Sequence, residues 1–561
     1  MKSRIFKLMT LALVFGASCT DLNEKVLDES SVTGQTDKQQ ADGLIAPVYA
    51  LLPNLYQHTQ MFALSEISTD EAILPYRGGT DWGDNGIYIS LHKHETTSTD
   101  PNVRNTWNSI TQSIARAVIA INALPDNKDP NAQVYVAEAR AMRAYYNMLA
   151  LDLWGISFIK EKPDDISTIV RGAEAIAYIE KELLAAEPIL QTNVGPGRIT
   201  KAGVYGLLAR LYLNAAAWRD PYAAQLTFKP EDMDKVIDYT TRIIGNGSYA
   251  LSPDYFSIFG DANNSNKELI FVCEQRSDLN GHNRLAYFSL SGDQYPLPAF
   301  PAANGTDGPA ITPEFYRTWV NAYAPVDPAQ ADPRFYKKNV SVPAGGLDTF
   351  YTAADYRIDR GILRGQQYGL IRVSGAFVKD AQGRFKVGKL FNASRSVPTA
   401  PVDHTETVNF TTAGSGYSTG YRVEKYEFSQ KSASGRNFGE ADIVLVRLAD
   451  VYLMRAEAKL RKGDAASALT DVNAVRTSRK QGTLQAPALT AIDLNTLLRE
   501  RGFELYWEFH RRTDLIRFGK YEDSWTEKNN TDKNKRLFPI PQTAIDGASN
   551  LPGYLKQNQG Y

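Results

Sequence analysis

AEARAMRAYYNMLALDLWG, residues 137–155, sets apolar side chains at i, i+3, i+4 and i+7 and fills many of the intervening positions with alanine. That period predicts an amphipathic helix, and the alanines allow a neighbouring helix to approach closely. The pattern breaks at Gly155. MRAEAKLRKGDAASALTDVNAV, residues 454–475, repeats the plan: small residues at helix-contact spacing, then a break at Gly463. The same periodicity runs through 39–55, 103–124, 172–190 and 201–218, and again through 443–464, 465–479 and 494–521.

Helix pairs of about 34 residues with Ala, Gly and Tyr at fixed contact points are the signature of tetratricopeptide repeats. An all-α superhelix of about four such pairs, each unit packed on the next, is therefore expected. The middle of the chain, roughly 250–440, differs. It is rich in Gly, Pro, Asn, Asp and aromatics, with short strand-like runs such as LIFVCE, and shows no helical period. A loop-rich, partly β insertion on a helical scaffold is expected there, and such loops are where binding usually sits. The boundaries expected are a leader at 1–18, a helical region at 19–250, the insertion at 251–440 and a closing helical region at 441–561.

The N-terminus, MKSRIFKLMTLALVFGASC, has Lys2, Arg4 and Lys7, a short apolar run and Gly16-Ala17-Ser18 before Cys19. This is the layout of a secretory signal. Its apolar part is about half of the ~20 residues a membrane-spanning helix needs. A cysteine after the small residues resembles a bacterial lipobox, with Gly16 where leucine is usual. Acylation of Cys19 would anchor the mature chain by two or three chains, and Asp21 and Glu24 resemble an acidic surface-sorting tag. Loss of the three leader cations takes the formal charge from −1 to −4. With no basic excess to neutralise phosphates, nucleic acid is disfavoured as a partner. Cys273 is the one cysteine left after Cys19, so no internal disulfide holds the fold. Aromatic residues make up 11% of the chain, 30 of them tyrosine, a supply suited to cores and to stacking on flat, half-apolar ligands.

Several motifs admit both a functional and a structural reading. GRFKVGKL at 383–390 falls short of a phosphate loop, because Leu390 stands where a magnesium-holding Ser or Thr is needed; a hairpin turning at Gln382-Gly383 is expected instead. His92, His94 and Glu95 could ligate a metal, but no second ligand cluster accompanies them, and local packing is expected. Glu500, Glu504 and Glu508 share one helix face. Arg501, Arg511 and Arg512 lie within a turn and favour the ionised carboxylates, against the raised pKa of a general acid. A structural ion network is expected there. PYRGGTDWGDNGIY at 75–88 offers Trp82 among glycines, between Asp81 and Asp84, with Arg77 and Tyr88 near. An aromatic platform flanked by carboxylate and guanidinium suits sugar recognition.

Nearly end to end, the chain resembles the SusD/RagB family of outer-membrane nutrient-binding lipoproteins. The resemblance rests on CTDLNEK at 19–25, SEISTDEAI at 65–73, the Trp107–Asn122 block, AEARAMRAYYNMLALDLWG, ITKAGVYGLLARLYL at 199–213, GQQYG at 365–369 and YRVEKY at 421–426. It continues through ADIVLVRLADVYLMRAEA at 441–458, GDAASALTDVNAVR at 463–476, RERGFELYWEFHRRTDLIRFG at 499–519, LFPIP at 537–541 and the final QNQGY. It implies a non-catalytic, cofactor-free lipoprotein at the cell surface. Such proteins capture glycan, or in some members peptide, and pass it to a SusC-like TonB-dependent transporter. Ligand residues implied by position are Arg77, Asp81 and Trp82 after the TDE motif, Asn283, Tyr287 and Tyr295 in the middle region, and Arg364 and Gln366 at GQQYG. Several stacks of about 0.5–1.5 kcal/mol each would have to act together, giving micromolar to millimolar affinity. Other functions compatible with the residues are peptide capture, a lid with no ligand of its own, and a secreted glycosidase using Glu504 or Asp81 and Asp84.

Overall fold

The computed structural model describes residues 34–77, 86–276, 283–303, 305–393, 395, 397–410, 416–429 and 439–561. Cys19, the leader, Asp81, Trp82 and Asp84 lie outside them. The main helices before residue 250 are α1 (Asp37–Tyr49), α2 (Pro101–Ala123), α3 (Ala132–Trp154), α4 (Gly172–Ala186), α5 (Lys201–Arg219) and α6 (Pro230–Gly245). After the middle region come α8 (Leu448–Arg461), α9 (Ala465–Ser478), α10 (Leu494–Leu505) and α11 (Arg511–Arg517). Local chemistry sets their starts. Asp100 accepts from the Asn102 and Val103 amides ahead of Pro101. Thr36 and Gln39 form a reciprocal cap on α1, and Thr200, Asp464 and Asp493 cap α5, α9 and α10. Such side chains satisfy amides that the helix leaves unpaired. At the end of α3, Gly155 takes a left-handed φ of 68°, which glycine adopts without strain.

Each helix packs on the next in the chain, α1 on α2 through to α5 on α6; α6 then meets α8, and α8 meets α9 and α10. This is the serial stack expected from the repeat pattern. The reason lies in α3: Ala137, Ala139, Ala141, Ala144 and Ala150 are all buried, so α2, α4 and α5 can all pack against it. Gly206 serves the same end in α5. A Cβ there would stand 2.8 Å from Cγ1 of Val446, a buried β-branched residue that cannot swing aside. Gly206→Ala should therefore cost about 1–3 kcal/mol through overpacking, read as a lowered thermal midpoint.

Two strands close the neck of the middle region. Leu269–Cys273 runs antiparallel to Ile443–Arg447, with register shifts around Val446. All ten residues are buried, including Cys273. Between them the chain forms small sheets: Phe385–Lys389 pairs with Thr349–Tyr351 and Tyr368–Leu370, and Arg360–Leu363 with Arg422–Glu424 and Tyr336–Lys337. The turn at Gln382-Gly383 is present, with Gly383 at φ 78° and Arg384 held to Asp380. These sheets carry a separate small core of Tyr287, Tyr295, Ile358, Leu370, Val387 and Phe428. The middle region also holds a helix that the sequence reading left out, α7 (Pro313–Tyr323), started by Thr312 and Pro313. Its buried side is Phe315, Trp319 and Tyr323, at intervals of four.

Candidate functional site

Of the sequence-derived candidates, the structure places most inside. Arg77 is 2% exposed. Its guanidinium donates to the Asp307 and Gly308 carbonyls, both at 3.1 Å, and to Thr419 Oγ1 at 2.8 Å. It thereby ties two loops to the residue that enters segment 78–85. Tyr88 is buried in the short helix Ile87–His92. Asn283 is a clamp, donating to the Ala441 carbonyl at 2.8 Å and accepting from the Leu285 amide. Tyr287 and Tyr295 are 2% and 1% exposed and pack in the small core at 6.3 Å, edge to face; neither ring presents a face for stacking. Arg364 and Gln366 are half-buried. Arg364 pairs with Asp327 at 2.8 Å and donates to Tyr316 Oη at 3.0 Å. Gln366 Nε2 donates to the Gln367 and Leu390 carbonyls at 2.8 and 3.1 Å.

Gln366 thus stitches the floor of an open cleft that the sequence reading did not single out. Its volume is about 490 Å³, and Asp293, Arg372, Ser374, Lys389, Phe391 and Ala393 line it. Phe391 is 46% exposed, an open ring at the rim. Arg372 meets Asp293 at 3.3 Å and the Pro301 carbonyl at 3.1 Å, so the fork is held in place. One wall is the hairpin of Arg372–Val373 and Ala376–Phe377. Its two turn residues, Ser374 and Gly375, both take positive φ, the requirement of a tight two-residue turn. Lys389 comes from the end of the strand that the phosphate-loop motif resolves into. The cleft joins the base of segment 78–85 through a chain of contacts. Asn392, beside Phe391, donates to the Pro401 carbonyl; Arg395 pairs with Asp307 at 2.6 Å and lies over the Tyr417 ring at 5.0 Å; Asp307 in turn holds Arg77. An exposed ring, a fixed guanidinium–carboxylate pair and an exposed lysine in one cleft can stack on a sugar ring and read its hydroxyls. The signal for Phe391 was present in KLFNAS, an aromatic residue beside turn-forming residues, as with Trp82.

The helix-face carboxylates sit elsewhere. Glu500, Glu504 and Glu508 are at most 1% exposed. Glu504 accepts from Arg447 and Arg479 at 2.7 and 2.6 Å, Glu508 from Arg447 and Lys425, both at 2.6 Å, and Glu500 from Arg476 at 2.8 Å. Burial works against the ionised Glu504, but Arg479, Arg447 and Arg334 outweigh it and hold the carboxyl well below its usual range. An acid kept ionised does not protonate a leaving group. His92 and His94 hold backbone: His92 lies 3.0 Å from the Ile67 carbonyl and 2.8 Å from that of Thr526, and His94 2.8 Å from that of Ser68. Both pin the TDE segment.

Two family models match the chain: "Starch-binding associating with outer membrane" over 25–213 and "SusD family" over 330–561. The starch-binding protein SusD of Bacteroides thetaiotaomicron is 28% identical over 451 residues, 76% of this chain and 72% of that protein. Among solved structures, a SusD superfamily protein of Parabacteroides distasonis superposes with a TM-score of 0.67 at 18% identity, over 94% of this chain and 100% of that one. Surface glycan-binding protein A of B. thetaiotaomicron, solved with laminarihexaose, gives 0.63 at 20% identity over 93% and 100%. The helical stack, the inserted loop-rich face and family models that together span most of the sequence agree: the chain belongs to the SusD/RagB family.

Proposed function

We propose that this protein is a glycan-binding lipoprotein of the outer-membrane surface, which captures oligosaccharide on its loop-rich face and passes it to a SusC-like TonB-dependent transporter. The observation that carries the reading is the open Phe391 ring beside the fixed Arg372–Asp293 pair in a ligand-sized cleft. Asp81 and Trp82, which follow the buried Arg77 in the sequence, are proposed as further ligand residues. Relatives support it by name: one binds starch, and another was solved holding laminarihexaose. No described helix is long and apolar enough to cross a membrane, and the name of the N-terminal family model includes association with the outer membrane. Attachment through acylated Cys19 fits both facts. Catalysis is no part of this reading: the paired helix carboxylates are occupied by arginines.

Affinity electrophoresis of the soluble chain against a polysaccharide panel tests it. Retardation by one glycan class is expected. Phe391→Ala should weaken binding about tenfold, the effect of losing one stacked ring with its buried area, about 1.4 kcal/mol. Trp82→Ala should weaken it similarly. Retardation by none of the panel, with binding of peptides instead, would overturn the glycan reading.

A further inference from the structure

A second cleft, of about 610 Å³, opens on the other flank of the small core. This volume falls within the roughly 300–1,000 Å³ typical of ligand clefts. Phe256, Ile358 and Phe428 supply apolar lining, and Asn339, Arg357 and Glu427 belong to its polar wall. The two clefts border the same small core. Leu370 lines the first, Ile358 and Phe428 line the second, and all three belong to the small core.

The informative group is Glu424, which lines the second cleft and is 1% exposed. One carboxyl oxygen, Oε2, accepts from Tyr295 Oη at 3.1 Å. The other, Oε1, has no hydrogen bond from any described residue. Arg360, also lining the cleft, holds three backbone carbonyls through Nη2, while its buried Nε has no hydrogen-bond partner among the described residues. Leaving a buried donor or acceptor unmet is costly, so two on one cleft call for a ligand or ordered water to complete them. A hydroxyl can do both tasks, accepting from a guanidinium N–H and donating to a carboxyl oxygen. Burial pushes the Glu424 carboxyl well up, towards its neutral form, and the other charges of the lining balance: Lys337, Arg357 and Arg360 against Asp254, Asp261 and Glu427. Lys337 pairs with Asp254 at 2.7 Å, and Arg357 with Glu427 at 3.5 Å. A balanced rim favours a neutral ligand, and forked groups above an apolar floor suit vicinal hydroxyls over ring C–H groups.

We propose that this cleft is a second glycan subsite, separate from the Phe391 cleft, in which Glu424 and Arg360 read ring hydroxyls and Arg357 and Asn339 form the rim. The inference rests on the glycan-binding reading. Two subsites on one lid would raise the grip on a long chain through effective concentration, while each site alone stays weak. Hydrogen–deuterium exchange of the soluble chain, with and without laminarihexaose and maltohexaose, separates the possibilities. Protection at 336–340 and 357–360 in addition to 370–375 and 389–393 is expected. Arg357→Ala should abolish the first pair and leave the second. Glu424→Gln, which keeps the shape, should weaken protection of the first pair several-fold. Protection confined to 370–375 and 389–393, unchanged by both variants, overturns the second subsite and leaves the function standing; Oε1 is then met by water. Protection at neither pair of segments overturns both.

Discussion

Arg447→Met should destabilise the protein by about 3–5 kcal/mol, the usual result of removing one partner from a buried ion network. Arg447 is 1% exposed. Its Nε and Nη2 clasp Glu508 at 2.6 and 2.8 Å, and its Nη1 meets Glu504 and Glu268, both at 2.7 Å. Methionine matches much of the volume and none of the charge. Glu504 would retain Arg479 and Arg334, and Glu508 would retain Lys425, but each would lose a donor that no water can reach to replace. The site also joins distant pieces of chain. Arg447 ends the neck strand, Glu268 precedes the partner strand, and Glu504 and Glu508 follow from α10. A loss of this size should appear as a lowered urea midpoint and early loss of the C-terminal helices in native-state exchange. Adding Glu508→Gln should recover part of it. A change below 1 kcal/mol would show that the network sets geometry without holding the fold.

The second large effect concerns pH. Glu66 lies just before the TDE segment, Glu71 ends it, and they are 0% and 1% exposed. Burial pushes the Glu66 carboxyl well up, and the neighbouring Glu71 adds to the push. Burial likewise raises Glu71, from 4.5 to about 8, against the pull of Arg511 and with the added repulsion of Asp70. In the unfolded chain both ionise near pH 4.5, whereas the folded chain keeps them protonated to higher pH. The folded state therefore binds more protons, and stability falls as pH rises from about 4.5 towards 8. Glutamine imitates the neutral acid and cannot ionise. Glu66→Gln should leave the thermal midpoint nearly unchanged at pH 5 and raise it progressively at pH 7 and 8.5, by several degrees. A midpoint lowered equally at every pH would mean that Glu66 serves as an ion.

How far the sequence could be read follows from what each signal measures. Alanine-rich period in α3 and α8 reports contact on several sides, and the stack follows from it. An ion network does hold Glu504 and Glu508, but with other members than expected. Arg501, Arg511 and Arg512 pair with Asp514, Asp70 and Asp152, and Glu508 lies just past the end of α10. The carboxylates are met by Arg447, Arg479, Arg334 and Lys425 from outside that helix, which local spacing does not reveal. Helix α7 was missed because its apolar positions are aromatic and spaced by four inside a segment crowded with Gly and Pro; Thr312-Pro313 was the available start signal. Tyr287 and Tyr295 were expected on the ligand face by their position in the middle region, as the family resemblance implies; they pack in the small core, and neither position along the chain nor residue type distinguishes the two places. KLFNAS carries a signal for Phe391 itself, but not for the cleft around it. It is assembled from Asp293, Arg372 and Lys389, which meet only when Phe385–Lys389 pairs with Tyr368–Leu370.

The most direct test is the crystal structure of the complex with whichever glycan retards the protein. Sugar rings stacked on Phe391, with hydroxyls on Arg372 and Asp293 and segment 78–85 against the same chain, is the expected result. A glycan seated on the helical stack, with Phe391 left open to solvent, would contradict capture by the loop-rich face.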